Sequence, residues 1–108
     1  MKVIKTRLEG CVIIEPKVFD DERGFFLETF QTVRYAAEAK IEMPFVQDNQ
    51  SRSPKGVLRG LHFQKKRPQG KLVRVVNGEV YDVALDVRRN SSTFGQWEAV
   101  VLSGVNKK

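Results

Sequence analysis

The feature that most constrains this chain is its punctuation. Asn77-Gly78 stands between two β-forming runs, Lys71 to Val76 and Glu79 to Val87. Asn-Gly in that setting is a strong hairpin signal, because a two-residue primed turn needs positive φ at both central positions. Similar breaks recur along the sequence. Gly10 to Glu15 is a β-branched run closed by Pro16, and Phe19 to Gly24 reads as a turn leading into the aromatic strand Phe25–Phe30. Phe45-Val46-Gln47 is extended, Ser51 to Gly56 is a loop, Val57 to Gln64 a strand and Lys65 to Gly70 a turn. Asn90 to Thr93 is a further loop before a last strand, Gln96 to Leu102. Only Gln31 to Lys40, with Ala36, Ala37 and Ala39, has helical character, and it ends before Pro44. Short strands at close spacing, with turn residues between them, predict an all-β antiparallel sandwich or barrel with one short helix.

A two-residue loop at Asn77-Gly78 fixes a register. Val76 then faces Glu79, and Lys71 faces Ala84. Alternation puts Lys71, Val73, Val75, Val80, Asp82, Ala84 and Asp86 on one face. Lys71 would lie diagonal to Asp82 and Asp86, within reach of a long side chain. A lysine and two aspartates on a partly apolar face suit either a lined cavity or a solvated ion-pair ladder, and the pattern alone leaves both open.

The 108 residues predict a single domain, 1–108, with one core. At 41% hydrophobic and 30% charged the composition is that of a globular protein, and disorder is excluded as the main state. The apolar runs, such as Cys11 to Ile14 and Ala99 to Leu102, fall far short of the ~20 residues of a spanning helix. Lys2, Lys5, Arg7 and Glu9 break any signal-peptide pattern at the N-terminus. One cysteine, Cys11, excludes an intrachain disulfide, agrees with a cytoplasmic setting, and reads as a packing thiol within an apolar run. The formal charge of +6 invites a nucleic-acid partner. Its spread argues against one: apart from Lys65-Lys66-Arg67 the basic residues alternate with acidic ones, and no zinc-finger or RNA-binding motif appears. The alternatives are a small anionic ligand, or nothing beyond solubility.

The single histidine, His62, counts against a metal centre, since transition-metal sites in β-barrels gather several His with Asp or Glu. General-base chemistry remains open to it, as does a structural role. A bulge at Gly60 would let Arg59 and His62 point the same way, and glycine within a strand is where bulges occur.

Six blocks, taken in order and spacing, carry a resemblance. They are Phe19 with Asp21-Glu22-Arg23-Gly24-Phe25-Phe26-Leu27-Glu28; Phe45 to Ser51; Gly56-Val57-Leu58-Arg59-Gly60-Leu61-His62-Phe63-Gln64; Gln69 to Val75; Asp82 to Arg88; and Thr93-Phe94-Gly95-Gln96-Trp97. Together they resemble the dTDP-4-dehydrorhamnose 3,5-epimerase family over essentially the whole chain. The resemblance implies a cupin-like antiparallel jelly roll, a homodimer or higher homo-oligomer, a dTDP-sugar substrate, and neither metal nor organic cofactor. It implies no nucleic-acid or membrane partner. The substrate would be dTDP-4-dehydro-6-deoxy-glucose, whose ring ketone acidifies the protons on carbons 3 and 5.

On that resemblance His62 matches the base and Lys71 the cation that stabilises the enolate, the task of a fixed charge in a dry site. Asp82, on the face predicted for Lys71, would tune or position that lysine. Arg23, Glu28, Gln47, Asp48, Asn49 and Arg59 match the nucleotide-sugar contacts, and Phe26 would line the pocket. Arginine suits a diphosphate because its planar fork binds oxygens in pairs. Family members continue past Lys108, so the jelly roll is expected to be incomplete in this chain, which would be its N-terminal portion. The continuation carries the acid tyrosine, a second histidine and the aspartate that orients the base. Neither Tyr35, in the predicted helix, nor Tyr81, on the face opposite Lys71, matches that acid. The alternatives are a dTDP-sugar ketoisomerase, which the Gly-Leu-His and Gln-Gly-Lys blocks disfavour, or a non-catalytic nucleotide-sugar-binding module.

Overall fold

The computed structural model describes residues 1–108, which form six strands and one helix. Three antiparallel hairpins carry all the ladders: β1 (Lys2–Lys5) with β2 (Val12–Glu15), β3 (Val18–Asp21) with β4 (Gly24–Leu27), and β5 (Glu79–Leu85) with β6 (Trp97–Ser103). Helix α1 (Thr32–Ala39) follows β4. The mostly-strand class with one short helix is therefore as the sequence predicts. No helix is long and apolar enough to cross a membrane. The chain forms two compact units, Met1–Glu42 with Val73–Lys108, and Met43–Leu72.

The first unit holds all of the regular structure. β1 pairs with β2 in the register Val3↔Ile14 and Ile4↔Ile13, and the turn between them is pinned by Thr6 Oγ1, which donates to the Cys11 carbonyl at 2.8 Å. Cys11 itself is a half-buried free thiol. Helix α1 begins where Gln31 caps it, its side chain accepting from the Arg34 amide, and stops where Lys40 turns left-handed (φ 59°). Its buried face, Tyr35 and Ala39, packs with Ile14 and with Met1, Val3, Val12 and Ile41. Helix and first hairpin thus share one small apolar core.

β5 and β6 run seven pairs long, from Glu79↔Ser103 to Leu85↔Trp97. The loop that joins them is organised by Asp86. Its buried carboxylate accepts from the Arg88 amide and guanidinium, from Ser91 Oγ at 2.6 Å and from Thr93 Oγ1 at 2.7 Å. These donors hold its pKa far below the ordinary carboxylate range, the Arg88 guanidinium contributing most. Arg88 also donates to the Glu9 carbonyl at 2.9 Å, while Arg7 Nε reaches Glu98 at 3.2 Å. The β1–β2 turn is fastened by these two bonds to the β5–β6 hairpin.

Several sequence expectations are corrected. The Asn77-Gly78 hairpin does not form: Gly78 has a positive φ (81°) but Asn77 does not, and β5 pairs with β6 rather than with 71–76. Ala84, expected opposite Lys71, faces Glu98, and Asp82 faces Val100. β5 is paired along one edge only, and its other edge carries no ladder. Neither 57–64 nor 71–76 is a strand, because neither is part of a ladder; extended, β-branched sequence becomes a strand only beside a partner. Phe19, Asp20 and Asp21 belong to β3, so the turn expected over 19–24 narrows to Glu22-Arg23, and β4 ends at Leu27 instead of Phe30. β1, which the sequence reading did not mark, completes the first hairpin.

Candidate active site

Four of the ten candidate residues lie in the first unit. Arg23 sits in the β3–β4 turn, its backbone amide and guanidinium both donating to the Asp21 carboxylate. The turn itself aims this side chain, because Asp21 accepts the Arg23 amide at 2.9 Å and so fixes the backbone on which it stands. That arrangement holds the Asp21 carboxyl below its usual range, through the side-chain bonds first and the backbone bond second. Nε and one terminal nitrogen are committed to Asp21, and the other terminal nitrogen remains as a donor on an exposed side chain. Phe26, on β4, faces Phe19 across the ladder and is 70% exposed. An aromatic ring so open to water is an apolar surface awaiting a cover.

Glu28 follows β4 directly. Arg34 Nη1 donates to its Oε1 at 2.9 Å. Asp82 lies half-buried on β5, on the face it shares with Val80, Ala84 and their partners Leu102, Val100 and Glu98. Its neighbours on that face are apolar except for Glu98, which is occupied by Arg7.

The other six candidates lie in Met43–Leu72, a segment without helix or ladder. Gln47 Nε2 donates to Asn49 Oδ1 at 3.1 Å, which draws the Gln47-Asp48-Asn49 run into a local turn of side chains. Arg59 donates through Nε to Ser53 Oγ at 2.8 Å and through one terminal nitrogen to the Arg52 carbonyl at 3.4 Å. Like Arg23 it is oriented by its own neighbourhood and keeps its second terminal nitrogen as a donor. Ser53 has no place among the candidates read from sequence; only the folded loop brings it to Arg59.

His62 and Lys71 are exposed, and neither side chain makes a hydrogen bond or ion pair in this chain. Between Arg59 and His62 the backbone turns sharply at Gly60, whose φ of +125° is open to glycine and strained for any other residue. A Cβ there would stand 3.8 Å from the His62 amide nitrogen, so the obstacle to a side chain is conformation rather than space. The segment Met43–Leu72 thus carries a tethered guanidinium, Arg59, together with the unengaged His62 imidazole and Lys71 ammonium.

The dTDP-4-dehydrorhamnose 3,5-epimerase family profile matches residues 5–108. A dTDP-4-dehydrorhamnose 3,5-epimerase of Methanothermobacter thermautotrophicus is 56% identical over 99% of this chain and 57% of its own length. Among solved structures, the dTDP-6-deoxy-D-glucose-3,5-epimerase of Legionella pneumophila, in complex with dTDP-4-keto-L-rhamnose, is 58% identical with a TM-score of 0.94, over 98% of this chain and 56% of that one. The Bacillus anthracis enzyme, with TDP and PPi bound, is 42% identical with a TM-score of 0.92, over 98% and 61%. The chain therefore spans somewhat more than half the length of the relatives it matches. Its strand-rich architecture is that of the cupin-like jelly roll these proteins share. By sequence profile, identity and fold together, the chain belongs to the dTDP-4-dehydrorhamnose 3,5-epimerase family.

Proposed function

We propose that this chain is the N-terminal portion of an epimerase that inverts carbons 3 and 5 of dTDP-4-dehydro-6-deoxy-glucose. The observation that carries the reading is the TM-score of 0.94, over 98% of the chain, to a relative solved with dTDP-4-keto-L-rhamnose bound. In the proposed chemistry the His62 imidazole removes the proton from carbon 3 or carbon 5. The electron pair moves into the ring, forming an enolate on the carbon-4 oxygen. The Lys71 ammonium stabilises that charge; the tuning role expected for Asp82 rests on a hairpin register that β5 does not adopt. Losing an oxyanion donor of this kind costs ~10²–10³ in rate.

Arg23 and Arg59 grip the diphosphate through the nitrogens their local tethers leave over. Glu28 and the Gln47-Asp48-Asn49 turn contact the nucleotide-sugar, and Phe26 lines the pocket. The proton returns to the opposite ring face from an acid other than Tyr35, whose hydroxyl is buried and donated to the Thr29 carbonyl.

The protein acts in the cytoplasm as a homodimer or higher homo-oligomer. Support for association comes from the bare apolar side chains, with Leu58 and Val46 each 90% exposed and Phe26 and Phe63 each 70%. A single monomer mass by light scattering at micromolar concentration would refute it.

The reaction is tested by incubating the chain with substrate in D₂O and following carbons 3 and 5 by NMR. Deuterium should enter one or both positions in the unsubstituted chain and neither in His62→Ala, with dTDP binding retained in both. Migration of the carbonyl would identify a ketoisomerase instead. Binding of dTDP without any exchange would leave a nucleotide-sugar-binding module.

A further inference from the structure

Glu28 is the one candidate contact that another element of the fold holds by its side chain. It stands one residue beyond the end of β4, where no ladder constrains it. Three bonds nevertheless fold this segment back onto the first turn of α1. Arg34 Nη1 donates to Glu28 Oε1 at 2.9 Å, the Tyr35 hydroxyl donates to the Thr29 carbonyl at 2.8 Å, and the Gln31 side chain accepts the Arg34 amide. The Phe30 and Tyr35 rings meet edge to face at 5.0 Å, and Tyr35 is 3% exposed. The segment bearing Glu28 is thus tied to the buried Tyr35 through Thr29, and the Glu28 side chain to the exposed Arg34 guanidinium, whose Nε also stands 4.0 Å from Glu38. Oε1 is taken by the guanidinium, which leaves Oε2 as the acceptor for a ligand.

We infer that Arg34 is a positioning residue: it locks the Glu28 carboxylate in one rotamer, so that Oε2 is already aimed when a thymidine nucleotide arrives. The inference rests on Glu28 being a substrate contact, as proposed above, and adds a residue that touches no ligand itself. Ordering a long side chain on binding has a known cost, which the pair removes in advance; that is worth about two- to tenfold in affinity.

The test uses the 108-residue chain and dTDP as the probe, with titration calorimetry and thermal melting on Arg34→Ala, Arg34→Lys, Glu28→Gln and the double variant Arg34→Ala/Glu28→Gln. Arg34→Ala should weaken dTDP by about two- to tenfold with a melting temperature close to the parent's. Arg34→Lys should recover part of the loss. The double variant should bind no worse than Glu28→Gln alone, because Arg34 acts only through Glu28. In the ligand-free chain, the side-chain couplings of Glu28 should report one χ1 rotamer, and averaging in Arg34→Ala. Unchanged dTDP affinity in Arg34→Ala, or losses that add in the double variant, overturns the inference while the proposed site stands. Normal dTDP binding by Glu28→Gln alongside loss in Arg59→Ala overturns it too, by removing Glu28 from the site. Failure of the unsubstituted chain to bind dTDP overturns the proposed site and this inference together.

Discussion

Tyr35 joins α1 both to the core and to the segment bearing Glu28, and its two contributions can be separated. The ring is buried among Ile14, Ala39 and their neighbours and packs against Phe30. The hydroxyl makes one hydrogen bond, to the Thr29 carbonyl at 2.8 Å. Tyr35→Phe removes only the bond. A neutral hydrogen bond contributes about 0.5–1.5 kcal/mol net, and Thr29 is exposed enough for water to take over its carbonyl, so a cost near the lower limit, about 0.5–1 kcal/mol, is expected. Tyr35→Ala also removes the ring, leaving a cavity and ending the edge-to-face contact. Large aromatic truncations in cores cost about 3–5 kcal/mol. For a chain of this size 1 kcal/mol corresponds to roughly 4–8 °C in melting temperature. Tyr35→Phe should therefore melt a few degrees below the parent. Tyr35→Ala should lose about 3–5 kcal/mol, a large share of a typical domain's stability of about 5–15 kcal/mol. Urea denaturation followed by circular dichroism measures both on one scale. If the two variants were equally destabilised, the hydroxyl would be the dominant anchor and the packing argument would be refuted.

Three further outcomes follow from the same structure. Burial, and secondarily the Glu28 charge, raise the Tyr35 pKa, so the unfolded phenol ionises before the folded one. Stability should be intact below the unfolded value of about 10 and fall as pH rises above it, and Tyr35→Phe should show a shallower alkaline decline in pH-dependent melts. Asp86 has the opposite sign: its depressed pKa gives stability that is present above the unfolded value of about 3.9 and lost as pH falls below it, so Asp86→Asn should lower the melting temperature at pH 7 and flatten the acid limb. Gly104→Ala would put a Cβ 2.6 Å from the Val76 carbonyl oxygen, against backbone that cannot rotate away; a loss of about 1–3 kcal/mol in chemical denaturation is expected, and a neutral result would mean that the 103–106 turn moves freely.

Local signals in the sequence match the structure where local chemistry decides it. Helix α1 was expected over Gln31–Lys40 and spans Thr32–Ala39, with the two end residues serving as caps. β5 and β6 lie within about two residues of their expected bounds, since β-branched runs and flanking turn residues define them. Pairing was not legible. Asn77-Gly78 advertises a hairpin as strongly as two residues can, yet the partner of β5 begins twelve residues beyond its end, and nothing near Asn77 encodes that choice. The same limit applies to 57–64 and 71–76, whose sequences suit a strand but whose ladders depend on a neighbour.

The candidate residues came from the order of motifs rather than from periodicity, so the sequence named Arg23, Glu28 and Arg59 without showing what holds them. Asp21 is two residues from Arg23 and closes β3 just before the turn. Arg34 lies six residues from Glu28, across the loop-to-helix transition, and Ser53 six residues from Arg59. Neither spacing belongs to a helix or a strand. Those partners emerge only once the loops have folded.

The Asp86 cluster has a consequence for how the chain is cut. Arg88-Arg89 is a dibasic pair in a loop, and on sequence grounds trypsin should favour it. Arg88, however, is bound to the Asp86 carboxylate and to the Glu9 carbonyl, and Ser91 and Thr93 close the same loop from the other side. To enter a protease cleft the loop would have to surrender all of these bonds at once. Arg52, Lys55 and Lys65 lie in a segment with no ladder to surrender. Limited digestion should therefore nick the chain between 52 and 66 long before it reaches Arg88, releasing fragments that still contain the intact β5–β6 hairpin.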